Sequence, residues 1–290
     1  MQIGIACAAG SYKSVFVHGV LAAFEEASFR AQVYGACSSS AVPAAFASIG
    51  EVSKLHGSSY WKNAYSDYVQ CNYDISKAIL ESLPIAVESL IGKLFLETAA
   101  EFAIAVSAVT SKEATELAQG PTARSLGLQL LRLMKNRDKS WAKKHLELRL
   151  FYNKVVEHGY ILNKNNLMDV FYATTRMLHA WKTPAWIEGQ PYIDPSYTCT
   201  CPAIELVQHG CSKVIAVMPE HGVVYRDLFQ NELMPASYNS ISIDFIQPNL
   251  NLAEIGVDYL KVTEAGVEAA FALGIDAGKS YLSTGRMKAL

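Results

Sequence analysis

Residues 31–50, AQVYGACSSSAVPAAFASIG, decide how the rest of the chain is read. A short apolar run, Gln32 to Gly35, leads into a cluster of very small residues, Ala36-Cys37-Ser38-Ser39-Ser40. Val42, Ala45, Phe46 and Ile49 then recur at helical spacing, so the stretch reads as strand, sharp turn, helix. A hydroxyl at such a turn stands over the sheet edge beside the first unbonded N–H groups of the helix. That geometry suits a nucleophilic serine, because the elbow exposes Oγ and stabilises negative charge developing beside it. Centring on Ser38 gives Ala36-x-Ser38-x-Ser40, with small residues in place of the glycines of G-x-S-x-G. An ordinary serine-rich loop would have the same composition, so both readings stand at this point.

Upstream, Ile3 to Cys7 reads as a buried strand running into the turn Ala8-Ala9-Gly10-Ser11-Tyr12-Lys13-Ser14. A helix follows with Val17, Val20, Leu21 and Phe24 on one face, ending at Glu25-Glu26. Together with the elbow this makes a βαβα opening, which predicts a parallel sheet. The backbone N–H groups of the small turn could cradle an anion, with Lys13 adding charge. The same residues would also serve as a tight βα connection.

The whole chain bounds these readings. Its 290 residues are 51% hydrophobic and 18% charged with net charge −2, which argues against disorder and against nucleic-acid binding. Cysteines 7, 37, 71, 199, 201 and 211 form no C-x-x-C and no small-domain disulfide pattern, so a reducing compartment is expected. Met1-Gln2-Ile3-Gly4 does not open a signal peptide, and a cytoplasmic location is the expectation. The most apolar run, Ala99 to Val109, is shorter than the roughly 20 residues a bilayer span needs.

Downstream, residues 52–144 read as a helical insert within a single domain covering 1–290. Ile75, Ile79 and Leu83, then Leu90 and Leu94, fall at helical spacing, Ser125 to Met134 is another helix candidate, and Pro84, Gly92 and Gly120-Pro121 punctuate the stretch. It is either plain helical packing or a cap whose apolar inner face, from Ile75 to Val109, holds an acyl chain. Leu146 to Val155 alternates as a strand, Leu167 to Pro184 reads as a helix, and Ile241 to Ile246 is a further strand. Cys37 is a conceivable thiol nucleophile. Cys199, Cys201, His209 and Cys211 fit no standard zinc spacing. His18 and His179 lie on helical segments and read as packing or surface residues.

Several of these segments carry a family resemblance. Gly10-Ser11-Tyr12-Lys13-Ser14, followed by His18-Gly19-Val20-Leu21-Ala22-Ala23-Phe24-Glu25-Glu26, resembles the opening of patatin-like phospholipases, a G-G-G-x-R/K-G oxyanion loop and the helix after it. Cys37-Ser38-Ser39-Ser40-Ala41 resembles that family's T-S-A-G-A elbow. Trp186-Ile187-Glu188-Gly189-Gln190-Pro191-Tyr192-Ile193-Asp194-Pro195 resembles its I-D-G-x-x-Y-V-D-G-G segment. Pro202 to Val217 and the helix expected over Tyr259 to Leu273, with Glu264-Ala265-Gly266-Val267-Glu268-Ala269-Ala270, match its later blocks in order. The resemblance implies an α/β three-layer fold, a mostly parallel central sheet flanked by helices, with the insert added.

It further implies a serine acyl hydrolase of lipid-type esters working through an acyl-enzyme, with Ser38 as nucleophile and Asp194 as base, and no cofactor or metal. Gly10, Ser11 and Tyr12 would offer N–H groups to the oxyanion, assisted by the charge of Lys13. The substrate would be an acyl ester or lipid, and the resemblance allows transient contact with a membrane surface. The departures lie in the glycines: Ala9 and Ser11 restrict positive φ, and Asp194-Pro195 removes a backbone donor. Asp194 could equally be a turn residue before Pro195. A chain of this fold that binds an acyl lipid or a protein partner without turnover is the alternative.

Overall fold

The apolar run Ile3–Cys7 forms strand β1, and the computed structural model, which describes residues 2–284, builds the molecule outward from it. Chain order then gives helix α1 (Ser14–Glu26), β2 (Val33–Cys37), α2 (Ala41–Ile49), α3 (Ser58–Gln70), α4 (Ile75–Ile91), β3 (Glu101–Val109), α5 (Lys112–Gln119), α6 (Ala123–Lys135), α7 (Ser140–His145) and β4 (Leu146–Tyr152). The second half holds β5 (Tyr160–Ile161), α8 (Leu167–Thr175), β6 (Trp186–Ile187), β7 (Gln190–Ile193), α9 (Ala203–Gln208), β8 (Lys213–Val217), β9 (Ser237–Tyr238), β10 (Ile241–Ile246) and α10 (Glu264–Ser283).

The sheet order is β5-β4-β3-β2-β1-β8-β10-β9, with β7 also pairing β3 and β6 pairing β7. The stretch β3-β2-β1-β8-β10 is parallel throughout. Antiparallel pairing joins β4 and β7 to β3, β6 to β7 and β9 to β10. This is the mixed α/β architecture expected, a mostly parallel sheet between helices.

Side chains alternate between two cores, as the period of two along a strand requires. Ile5, Cys7, Tyr34, Ile104, Val106 and Ile215 point into the larger core with α1, α2, α4 and α8. Ala6, Val33, Val214 and Ala216 point to the other face, where α9 packs. Helices α1 and α10 meet at backbone contact: a Cβ added to Gly19 would lie 2.2 Å from Phe271 O, and one on Gly274 2.2 Å from Phe16 O.

Four boundaries differ from the sequence reading. Residues 52–144 are not one helical insert, because Glu101–Val109 is a strand inside the sheet, buried along nearly its whole length. A continuous apolar run has no period to separate a buried strand from a buried helix. Second, α4 runs through Pro84 rather than stopping there. Leu80, whose carbonyl loses its bond to the missing N–H, lies on the exposed side where water can take its place. Third, α8 ends at Thr175 instead of reaching Pro184, since Arg176 turns to extended backbone and its carbonyl accepts a hydrogen bond from Asp194 N. The last helix starts later than expected, at Glu264, where the Thr263 hydroxyl caps Gly266 N at 3.0 Å. Among the described residues, no helix is long and apolar enough to cross a membrane.

Candidate active site

The loops after β1 and β2 leave adjacent parallel strands at the same end of the sheet, so Gly10 and Ser38 are neighbours by topology. The elbow at Ser38 is a short 3-10 turn, Ser38–Ser40, between β2 and α2. Ser38 has φ 55, in the left-handed region, which costs a residue with a Cβ about 1–2 kcal/mol. Such strain is the mark of an elbow that lifts a side chain off the sheet. Its backbone is held in place by Thr174 of α8, whose Oγ1 accepts from Ser38 N at 2.8 Å and donates to Ala105 O at 2.7 Å. Pro43 falls in the first turn of α2, where its missing N–H costs little.

The other two serines of the cluster do a different job. Ser39 Oγ donates to Ser11 O at 2.9 Å and Ser40 Oγ donates to Ala8 O at 2.6 Å. Ser14 Oγ lies between both hydroxyls, at 2.8 and 2.9 Å. The elbow and the loop after β1 are therefore laced together by side chains. The serine-rich composition serves both readings offered by the sequence: Ser39 and Ser40 are loop fasteners, and Ser38 is the serine left over the site.

Asp194 reaches the elbow on the hairpin β6–β7. Glu188 and Gly189 between the strands have φ 51 and 81, the signature of a tight two-residue hairpin turn. β7 then pairs antiparallel with β3 at Ser107↔Ile193 and Ala108↔Tyr192, which sets Asp194 at the end of the strand. Its carboxylate is fully buried. Oδ1 accepts from Ser196 N at 2.8 Å, the local turn expected of Asp before Pro, and Pro195 opens a 3-10 turn where no N–H is needed. Oδ2 has no hydrogen-bond partner among the described residues. Burial pushes the carboxyl up from 3.8 to about 6, against opposing pulls from Ser196 and from the Ser38 hydroxyl. Ser38 is thus close enough to influence the carboxylate although Oδ2 closes no bond with it.

The loop after β1 holds a positive φ at a residue that is not glycine. Ser11 has φ 50, so serine occupies the left-handed geometry at a cost of about 1–2 kcal/mol. Gly10 cannot be replaced in the same way, since a Cβ there would lie 2.5 Å from Pro219 Cγ. Gly10 N makes no hydrogen bond among the described residues. Ser11, Tyr12 and Ser39 open 3-10 turns whose first N–H groups have no acceptor within the turn. Lys13 has partners of its own. Its side chain is buried and does not itself line the cavity, though its partners Glu220 and Tyr259 do: its Nζ is 3.0 and 3.2 Å from the Glu220 carboxylate, and it sits 4.4 Å over the Tyr259 ring. The ammonium is thus paired with Glu220.

Ser38, Asp194, Gly10, Ser11 and Tyr12 all line one cavity of about 740 Å³. One wall is apolar, built by Val42, Phe46, Leu55, Trp61 and Phe171, and by α4 through Ile75, Ala78, Ile79, Leu83 and Ala86. The expected acyl-lining segment is therefore shorter than Ile75 to Val109: α4 lines the cavity, and β3 lies in the sheet. The other candidates lie outside it. The Cys37 thiol is buried, makes a long contact to Cys199 O and is pushed well above its usual pKa by burial. His18 is neutral core packing, its pKa lowered by burial to about 4, with Nδ1 accepting from Trp61 Nε1 at 3.1 Å. His209 pairs with Glu101 and stacks on Tyr152, and among the described residues no cluster of three or more His, Cys, Asp or Glu could hold a metal.

Thr174, Ser14, Glu220 and Tyr259 are the site residues that the sequence did not single out. Only Thr174-Thr175, a polar pair inside an apolar helix, left a trace in the pattern. No protein-family model matches this chain, and no curated protein matches its sequence.

Proposed function

We propose that this chain is a patatin-like serine acyl hydrolase that cleaves lipid-type acyl esters through a Ser38–Asp194 dyad. The observation that carries this reading is a strained serine facing a buried carboxylate, with one free oxygen and a pKa of about 6, at the floor of a largely apolar cavity. A carboxylate at that value is ionised at neutral pH yet basic enough to accept a hydroxyl proton.

In the first half-reaction Ser38 Oγ attacks the ester carbonyl and its proton passes to Asp194 Oδ2. The oxyanion of the tetrahedral intermediate takes hydrogen bonds from N–H groups of the Gly10–Tyr12 loop and of Ser39. Collapse breaks the ester C–O bond, the departing alcohol takes the proton from Asp194, and an acyl-Ser38 ester remains. Water then attacks that ester as Asp194 again accepts a proton; collapse breaks the acyl–Oγ bond, Asp194 returns the proton to Ser38 Oγ, and the carboxylic acid leaves. The apolar wall along α4 takes the acyl chain, each buried methylene contributing about 0.8 kcal/mol.

The test is fluorophosphonate labelling followed by intact-mass analysis. Wild type and Cys37→Ala should gain one adduct each, and Ser38→Ala none. Full labelling of Ser38→Ala would remove Ser38 as nucleophile. A folded wild type that neither labels nor hydrolyses p-nitrophenyl esters would leave a binding protein.

A further inference from the structure

The Gly10–Lys13 loop is held from two sides, and only the inner side, the serine lacing, belongs to the elbow. On the other side, where Glu220 and Tyr259 also line the cavity, the loop 257–262, closed by a bridge between Val257 and Val262, brings Tyr259 over it. Tyr259 touches the oxyanion loop at two points. Its carbonyl accepts a hydrogen bond from Ser11 Oγ, and its ring lies under Lys13 Nζ at 4.4 Å. Its hydroxyl donates to Glu220 Oε1 at 2.8 Å, and both Glu220 oxygens bind Lys13 Nζ. Glu220 itself follows Pro219, whose ring packs where a side chain at Gly10 would be. Ser11, Lys13, Glu220 and Tyr259 thus close a ring of contacts from three distant parts of the chain around the residue with φ 50.

We propose that Glu220 and Tyr259 are positioning residues that clamp the oxyanion loop from the side opposite the elbow, with Lys13 as the link rather than as a donor of charge to the reaction. The inference rests on the acyl-hydrolase reading for its catalytic consequence, but the clamp itself is a claim about the loop. The two roles for Lys13 give opposite signs. If its charge acted on the oxyanion, removing the neutralising carboxylate in Glu220→Gln would leave that charge less screened and hold or raise kcat. If Glu220 clamps, the same change loosens the loop and lowers kcat, since a displacement of about 1 Å in an aligned site costs about 100-fold.

Glu220 and Tyr259 are both partly exposed, with relative side-chain exposure of 38% for Glu220 and 50% for the Tyr259 residue, so Glu220→Gln and Tyr259→Ala should fold. Two readouts separate the clamp from the chemistry. Hydrogen–deuterium exchange of the peptide spanning residues 8–16 should quicken in both variants while peptides from β1, β2 and β8 stay unchanged. With a p-nitrophenyl ester, kcat should fall about 10- to 100-fold with KM within about threefold. The backbone carbonyl that holds Ser11 is kept in both variants; Tyr259→Phe also keeps the ring under Lys13, losing only the bond to Glu220, and should recover most of the rate lost in Tyr259→Ala. Exchange of residues 8–16 at the wild-type rate in both variants would overturn the clamp, whatever the activity. So would a kcat for Glu220→Gln equal to or above wild type. A wild type without esterase activity, whose variants still exchange faster over 8–16, would sink the acyl-hydrolase reading and leave the clamp standing.

Discussion

Asp194 has two oxygens in two different situations, and the difference makes it measurable. Oδ1 is bound to Ser196 N, while Oδ2 is buried and free. The folded-state value of about 6 stands above the unfolded 3.8, so the folded protein binds the proton more tightly. This contribution to stability is whole below about pH 4 and lost as pH rises through 6. Asp194→Asn should therefore abolish turnover and, at pH 8, stabilise the fold by about 1–3 kcal/mol. That gain should fade below pH 4, which thermal melts at both pH values will show. The wild-type kcat/KM should rise with pH through one ionisation near 6. Thr174→Val tests the support behind Ser38. It leaves Ser38 N and Ala105 O without their partner, for about 1–3 kcal/mol of stability, and fluorophosphonate labelling should slow at least tenfold, as expected when an aligned nucleophile shifts. An unchanged labelling rate beside a lowered Tm would confine Thr174 to the fold. Ser38 and Asp194 were legible because each sits in a local pattern of its own. Thr174 and Ser14 were not, because their partners come from distant segments and no local spacing encodes them.

Among the elements, α4 decides what the cavity can hold. Its inner face presents Ala78, Ser82 and Ala86 between larger residues, so space beside it depends on small side chains. Ala86→Phe should shift preference among p-nitrophenyl esters toward shorter chains, with about fourfold in kcat/KM for each methylene displaced. A chain-length profile identical to wild type would reduce α4 to packing. The helix was readable from its period, but its continuation through Pro84 was not, since proline predicts a stop unless solvent covers the freed carbonyl. For β3 the difficulty was the reverse. Nearly every residue of Glu101–Val109 is apolar because both its faces are buried, and a pattern without alternation does not announce a strand. The early end of α8 is a tertiary effect: Arg176 O is taken by Asp194 N, and helical continuation would forfeit that bond.

At the scale of the molecule, the β1-α1-β2-α2 opening was enough to read a parallel sheet, since right-handed crossovers leave few other arrangements. The antiparallel additions β4 and β7 were not readable, because pairing partners far apart in sequence leave no mark on either strand. The backbone contact of Gly19 with α10 had a local sign only in the glycines themselves, which elsewhere in the chain mark turns. That β7 reaches β3 across the sheet has a consequence in time. The Gly10–Lys13 loop and the elbow belong to neighbouring strands near the start of the chain. The carboxylate and the Thr174 hydroxyl, 136 residues beyond Ser38, join only after a long loop has closed. Loop closure of that span is slow relative to local pairing. A refolding chain should regain its far-UV circular dichroism before Ser38 becomes reactive, so in a stopped-flow and quenched-labelling comparison there should be a lag between the two. Coincident recovery would mean that the carboxylate docks with the first strands. A measurable lag would mean that the newly folded chain passes through a nearly native interval in which its serine is not yet reactive.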